Sequence, residues 1–209
     1  MQLSELILTY EKHPDLFVED LLGVTPQDWQ REMMAATLQH RKLSLRSGHG
    51  LGKTACCSWL MIWYLLTRYP VKVVCTAPSA STLYDGLMAE TKRWVKELPT
   101  PIRTLLEIKS DRIELASSPT EAFLSARTSR AESPESLAGI HSDHTMILVD
   151  EASGVPEQVY EAAYGSMSGK NAVVILIGNP TRSSGYFYET HTRLRDSWWT
   201  KKVSCLDSP

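Results

Sequence analysis

Cysteine is scarce in this chain, and its spacing is wrong for a staple. Cys56 and Cys57 are adjacent, Cys75 and Cys205 stand apart, and no CxxC pair occurs. A structural zinc site needs four ligands at suitable spacing, and the sequence offers no such set. His141 and His144 form an HxxH pair with no accompanying ligand cluster and read as ordinary loop histidines. The cysteines read as reduced, buried small hydrophobes of a cytosolic protein. An excess of one charge is also missing: 22 Lys and Arg face 24 Asp and Glu, a net charge of −2. That excludes a histone-like basic binder and an acidic disordered tail. Nucleic acid stays open, because a local basic patch can act on a neutral molecule. No apolar run reaches the roughly 20 residues of a membrane span; the most apolar, residues 55–66, reads as a buried helix. The N-terminus carries early acidic residues and no basic region ahead of an apolar stretch, so it is not a signal peptide. Internal repeats and low-complexity tracts are absent too.

What remains is a chain of 209 residues, long enough for one full-sized domain with a proper core. Leu3, Leu6, Ile7 and Tyr10 fall at helical spacing, residues 16–22 continue the pattern to Gly23, and Thr25-Pro26 looks like a cap and first helical position. Trp29, Met33 and Ala36 share one face of the helix that follows. Strands and helices then alternate. Strands are predicted at 42–46, 71–76, 105–108, 112–115, 122–126, 146–149, 172–177 and 198–203. Helices are predicted at 53–68, from Leu83 to Leu98, and at 156–164. This alternation predicts an α/β fold of three layers, a mainly parallel central sheet with helices on both faces. Residues 1–40 form a helical segment packed as a lid on a core of residues 41–203. Residues 204–209 read as the start of a linker.

The strongest local signal is Ser47-Gly48-His49-Gly50-Leu51-Gly52-Lys53-Thr54, between a strand and a helix. Its glycines let successive N–H groups turn inward onto phosphate oxygens, and the following helix adds its positive end. Lys53 would reach the β- and γ-phosphates of ATP, and the Thr54 hydroxyl would hold Mg²⁺. A second signal is the apolar run of residues 146–149 ending in Asp150-Glu151. At a strand's C-terminal end these carboxylates face the ligand crevice. Asp150 would hold Mg²⁺ through its waters, and Glu151 would orient and deprotonate the attacking water. Alone, such a pair could equally be a helix cap.

Weaker features accompany these. Asn179 follows another apolar strand and could read the γ-phosphate, or simply belong to a proline turn. Arg127 and Arg130, in a polar stretch, could stabilise transition-state charge or be solvated loop charges. The Gln30 amide could read adenine, whereas Trp29 on the apolar face is core. Basic residues at 41–42, 92–96 and 193–202 read as solvated faces, and Trp198-Trp199 as a packed strand.

The ordered set of residues 46–54, Ser136-Leu137-Ala138-Gly139-Ile140-His141, Val149-Asp150-Glu151-Ala152 and Gly178-Asn179-Pro180 resembles the ATPase domain of tailed-phage terminase large subunits, from about Trp29 onward. The resemblance implies a P-loop ATPase of the additional-strand type that pumps double-stranded DNA into a procapsid in the cytoplasm of an infected bacterial host. It implies ATP and Mg²⁺ as cofactors, and no membrane. It also implies a ring, of five subunits, on the portal protein, with a small terminase subunit choosing the DNA. In residue terms it makes Glu151 the catalytic acid, Asn179 the coupling motif and Gln30 the adenine reader, with Arg127 or Arg130 acting on the neighbouring subunit. Two departures matter. Many members carry an arginine inside the phosphate loop, where this chain has His49, with Arg46 just before the loop. Nothing after Asn179 supplies the acidic cluster of the family's nuclease domain, so the chain is expected to hydrolyse ATP without cutting DNA. Two other readings stay open: the first RecA-like domain of a superfamily 2 helicase, and a nucleotide-gated assembly module with little turnover.

Overall fold

The fold is described from a computed structural model, for residues 3–128, 137, 139–165, 169 and 171–204. Three helices lead: α1 (Leu3–Lys12), α2 (Pro14–Leu22) and α3 (Asp28–Gln39). Pro14 occupies the first turn of α2, where a missing N–H costs nothing, and Gly23 closes it in the left-handed region (φ +66°). The start of α3 differs from the Thr25-Pro26 expectation. Gln27 caps it reciprocally with Gln30, whose Oε1 accepts the Gln27 N–H at 2.8 Å. That box satisfies the helix's orphan donors two residues after Thr25, leaving Pro26 in the connection.

Then follow β1 (Lys42–Ser47), α4 (Lys53–Thr67), β2 (Val71–Thr76), α5 (Ala89–Glu97), α6 (Thr100–Arg103), β3 (Leu106–Ile108), β4 (Arg112–Leu115) and β5 (Ala122–Ala126). The chain continues through β6 (His144–Val149), α7 (Glu157–Gly165), β7 (Asn171–Gly178), α8 (Tyr186–Thr190) and β8 (Trp199–Val203). The sheet order is β3-β4-β5-β2-β6-β7-β1-β8. Strands β5, β2, β6, β7, β1 and β8 run parallel, and β3 and β4 add an antiparallel edge. The helix expected between Leu83 and Leu98 is wound in two ways: Thr82–Met88 is a π-turn segment that continues into α5.

Helix α4 explains how the layers hold together. It is apolar on every side, so it can only sit inside, and residues 56–65 are all buried. It packs on α1, α2 and α5 on one face of the sheet. Polar ties fix its rotation: Trp63 Nε1 donates to the Tyr10 carbonyl at 2.6 Å, and the Ser58 and Thr91 hydroxyls bond at 2.9 Å. A second apolar cluster covers the other face, from Val74, Ile147, Val149, Val174 and Leu176 to Val159, Tyr160 and Phe187. Trp29 is core, as its helical face predicts, and Cys56, Cys57 and Cys75 are buried free thiols. Among the described residues no helix is long and apolar enough to cross a membrane. Cys205 lies outside the described residues.

Candidate nucleotide-binding site

Because β1, β6 and β7 are parallel, their C-terminal ends meet at one edge of the sheet, with Val149 opposite Leu176 and Gly178 opposite Arg46. Strand β7 lies between β6 and β1, so the acidic pair and the phosphate loop are separated by one inserted strand. That strand delivers Asn179 between them. The loop leaves β1 at the buried Ser47, whose Oγ donates to the Gly48 carbonyl at 3.2 Å, and Leu51 anchors it in the core. Gly50 (φ +75°) and Gly52 (φ +82°) take left-handed backbone that a side chain would resist, and α4 starts immediately at Lys53.

Lys53 is 7% exposed. Its ammonium donates to the Gly48 carbonyl at 2.5 Å and to Asn179 Oδ1 at 2.9 Å. A buried cation needs an anion, and these two partners are neutral. Asn179, 5% exposed, turns its Nδ2 to His49 Nε2 at 2.5 Å. Thr54, half-buried, stands on the first turn of α4.

Asp150 is 4% exposed. Burial pushes its carboxyl up to about 6; the Glu151 N–H bonded to Oδ1 at 2.9 Å and the Lys53 charge pull the other way. The Asp150 N–H in turn donates to the Thr76 carbonyl at 2.9 Å, fixing the acid to β2. Glu151 adopts φ +46°, ψ +45°, a left-handed conformation that costs a non-glycine residue about 1–3 kcal/mol and recurs at working sites. Neighbours hold that turn in place. The Tyr160 hydroxyl donates to the Ala152 carbonyl at 2.5 Å, and the Ser153 and Thr181 hydroxyls bond at 2.9 Å. Burial first, then the Asp150 charge, holds the Cys75 and Cys57 thiols well above their ordinary range, so both stay protonated and inert.

The motif Gly178-Asn179-Pro180 gives its glycine no role of its own. A Cβ there would stand 2.8 Å from the Ala152 nitrogen and 3.2 Å from the Glu151 Cα and carbonyl carbon. The end of β7 is therefore bare so that the acidic turn can lie across it. The glycine ahead of Asn179-Pro180 was the available signal. We expect Gly178→Ala to lower stability by about 1–3 kcal/mol and to displace Glu151 with loss of ATP turnover. Denaturant unfolding and phosphate release measure the two; a variant normal in both would show that the turn can rise without consequence.

Two sequence expectations meet the geometry differently. Gln30 does contact the loop, but it is enclosed by protein, only 3% exposed. Its Oε1 serves the cap, and its Nε2 donates to the Gly52 carbonyl at 3.3 Å. An adenine would have to displace both bonds, so in this structure Gln30 is a strut under the loop. Arg127 follows β5, with its N–H bonded to the Cys75 carbonyl at 2.9 Å. Burial, then Arg112, lowers its guanidinium's pKa. Strands β2, β6 and β7 lie between β5 and β1. Four strand spacings are roughly 19 Å, beyond an arginine's reach to a phosphate on its own chain's loop. Arg130 and Ser136 lie outside the described residues.

A phosphate loop on a parallel sheet, with one strand inserted before the acidic strand, defines the additional-strand class of P-loop NTPase folds. The comparisons refine this. No family model matches the chain. A protein named "Probable terminase, large subunit" from Enterobacteria phage P7 is 30% identical over 195 residues, covering 91% of this chain and 39% of that protein. The chain therefore spans about two fifths of the length of this curated relative. A structure of a variant of the large terminase ATPase domain of Thermus phage P74-26 superposes with a TM-score of 0.68 at 18% identity, over 93% of this chain and 87% of the other. The large terminase of a second thermophilic bacteriophage, in complex with ADP, gives 0.68 at 16% identity, over 94% and 46%. The chain thus resembles a phage terminase large subunit in sequence and phage large terminase structures in fold.

Proposed function

We propose that this chain is the ATP-hydrolysing motor portion of a phage terminase large subunit, driving double-stranded DNA into a procapsid. The observation that carries it is Lys53, a buried ammonium whose hydrogen bonds among the described residues go to neutral oxygens, at the edge where the acidic pair and Asn179 arrive. Triphosphate oxygens are the anions that such a cation lacks. The second of the two phage terminases compared above has been solved with ADP and also with ATP-γ-S, which supports a nucleotide at this site. Residues 41–203 would be the ATPase core and residues 1–40 a helical segment on it, with the linker from residue 204.

In this reading the Gly48–Gly52 backbone and Lys53 cradle the β- and γ-phosphates. The buried carboxylate of Asp150, with the Thr54 hydroxyl, is a hard-oxygen donor set of the kind Mg²⁺ takes beside substrate phosphates. The ion would offset the charge gathering on the transferring phosphoryl group. Glu151 takes the proton of the water that attacks the γ-phosphorus in line, and the Asn179 amide donates to a γ-phosphate oxygen. The terminase relatives favour this motor over the helicase and the slow assembly module, and water activation by Glu151 argues further against the latter. By the same reading its partners are DNA, the portal protein, a small terminase subunit and four further copies in a ring.

Arg127 follows β5, four strand spacings from β1, so a finger from Arg127 would act on a neighbour. Mixing Arg127→Ala subunits with Lys53→Ala subunits should then restore ATPase activity that neither has alone. The same mixture with Arg130→Ala is the companion test. A trans finger is worth about 10³–10⁵ in rate, so even mixed rings with one intact interface are measurable by phosphate release. No recovery in either mixture would sink the trans arrangement.

A further inference from the structure

Resting on the nucleotide site proposed above, we infer that His49 is a positioning residue that holds the Asn179 amide until a γ-phosphate takes it. An ammonium can donate but never accept, so the Asn179 atom facing Lys53 Nζ at 2.9 Å is the amide oxygen. The amide is planar, and its nitrogen is thereby turned toward His49 Nε2. That nitrogen only donates, so His49 Nε2 is the acceptor of this bond. The chain of bonds from Asn179 to His49 and from Lys53 to Asn179 has one consistent direction. Its two inner members, Lys53 and Asn179, are buried, and its outer member, His49, is exposed at the loop apex.

The consequence concerns which nucleotide the site prefers. Reading a γ-phosphate oxygen takes the Asn179 Nδ2 donor, and at rest that donor belongs to His49. A phosphate anion is the stronger acceptor, so ATP opens the latch and frees the imidazole at the loop apex. ADP has no γ-phosphate and leaves the latch closed. His49 therefore reduces the preference for triphosphate over diphosphate by the worth of one hydrogen bond, and converts γ-phosphate occupancy into a change at the surface of the loop.

The experiment measures affinities of the full chain for ATP-γ-S and for ADP, both with Mg²⁺, by competition against a fluorescent nucleotide. His49→Ala should raise the ratio of ATP-γ-S to ADP affinity by about five-fold. His49→Gln, which returns an acceptor of similar reach, should bring the ratio back toward wild type. General damage to the loop would shift both nucleotides alike and leave the ratio still, which overturns the latch. So does a ratio that His49→Gln shifts as far as His49→Ala. A wild-type chain that binds neither nucleotide overturns the site and the latch together. One that binds both, with an unmoved ratio in His49→Ala, overturns the latch alone.

Discussion

Lys53→Ala is expected to cut ATP turnover by at least about 10²-fold and to weaken nucleotide binding as well. The ammonium is a buried cation at the junction of the loop and Asn179, and it bridges Gly48 and Asn179 before any phosphate arrives. Alanine removes the counter-charge for the phosphates and the tether between β1 and β7 in one step. Phosphate release under saturating MgATP, paired with fluorescent-nucleotide titration, reads both losses. Lys53→Arg is the control: it keeps the charge but not the compact reach into a pocket this enclosed, so little activity should return. Unchanged turnover in Lys53→Ala would falsify the assignment of the loop.

Glu151→Gln should separate binding from chemistry. Glutamine is nearly isosteric and keeps the left-handed turn over Gly178, but it cannot take a proton from water. Turnover should fall by about 10²–10⁴ while ATP affinity holds within a small factor. The variant should therefore accumulate bound, unhydrolysed ATP, which a single-turnover quench experiment detects directly. The two variants thus fail in different ways: Lys53→Ala loses its hold on the substrate, and Glu151→Gln keeps the substrate intact. A near-normal rate in Glu151→Gln would move the base elsewhere.

Much of this was open to reading along the chain because the signals are local. A β-branched run such as Val71–Thr76 and an all-round apolar run such as Lys53–Thr67 declare strand and buried helix from their own composition. The glycine loop announces phosphate because its backbone needs are local too, as the positive φ of Gly50 and Gly52 shows. The departures arose where a particular pairing decides, whether three residues away or across the sheet. Gln27 displaced Thr25 as the cap because its side chain and that of Gln30 satisfy each other's backbone. Strands β3 and β4 became an antiparallel edge because β4 pairs with β5 and β3 with β4, a choice that short strands cannot signal by themselves. The short helix α8 was missed for the same reason: its Thr190 hydroxyl is held by Ser44 on a strand 146 residues away.

By itself, then, the sequence determined the class of fold, the glycine loop between β1 and α4 and the place of the acidic pair after β6, since each is written in contiguous residues. Tertiary structure alone decided what those residues do to one another. Strand order put β7 between the loop and the acid and so brought Asn179 onto Lys53. It also carried Arg127 away from its own loop, turned Gln30 into a support for Gly52, and required Gly178 to be bare beneath Glu151. These are non-local contacts, fixed by sheet order and by burial, and no window along the chain contains both partners.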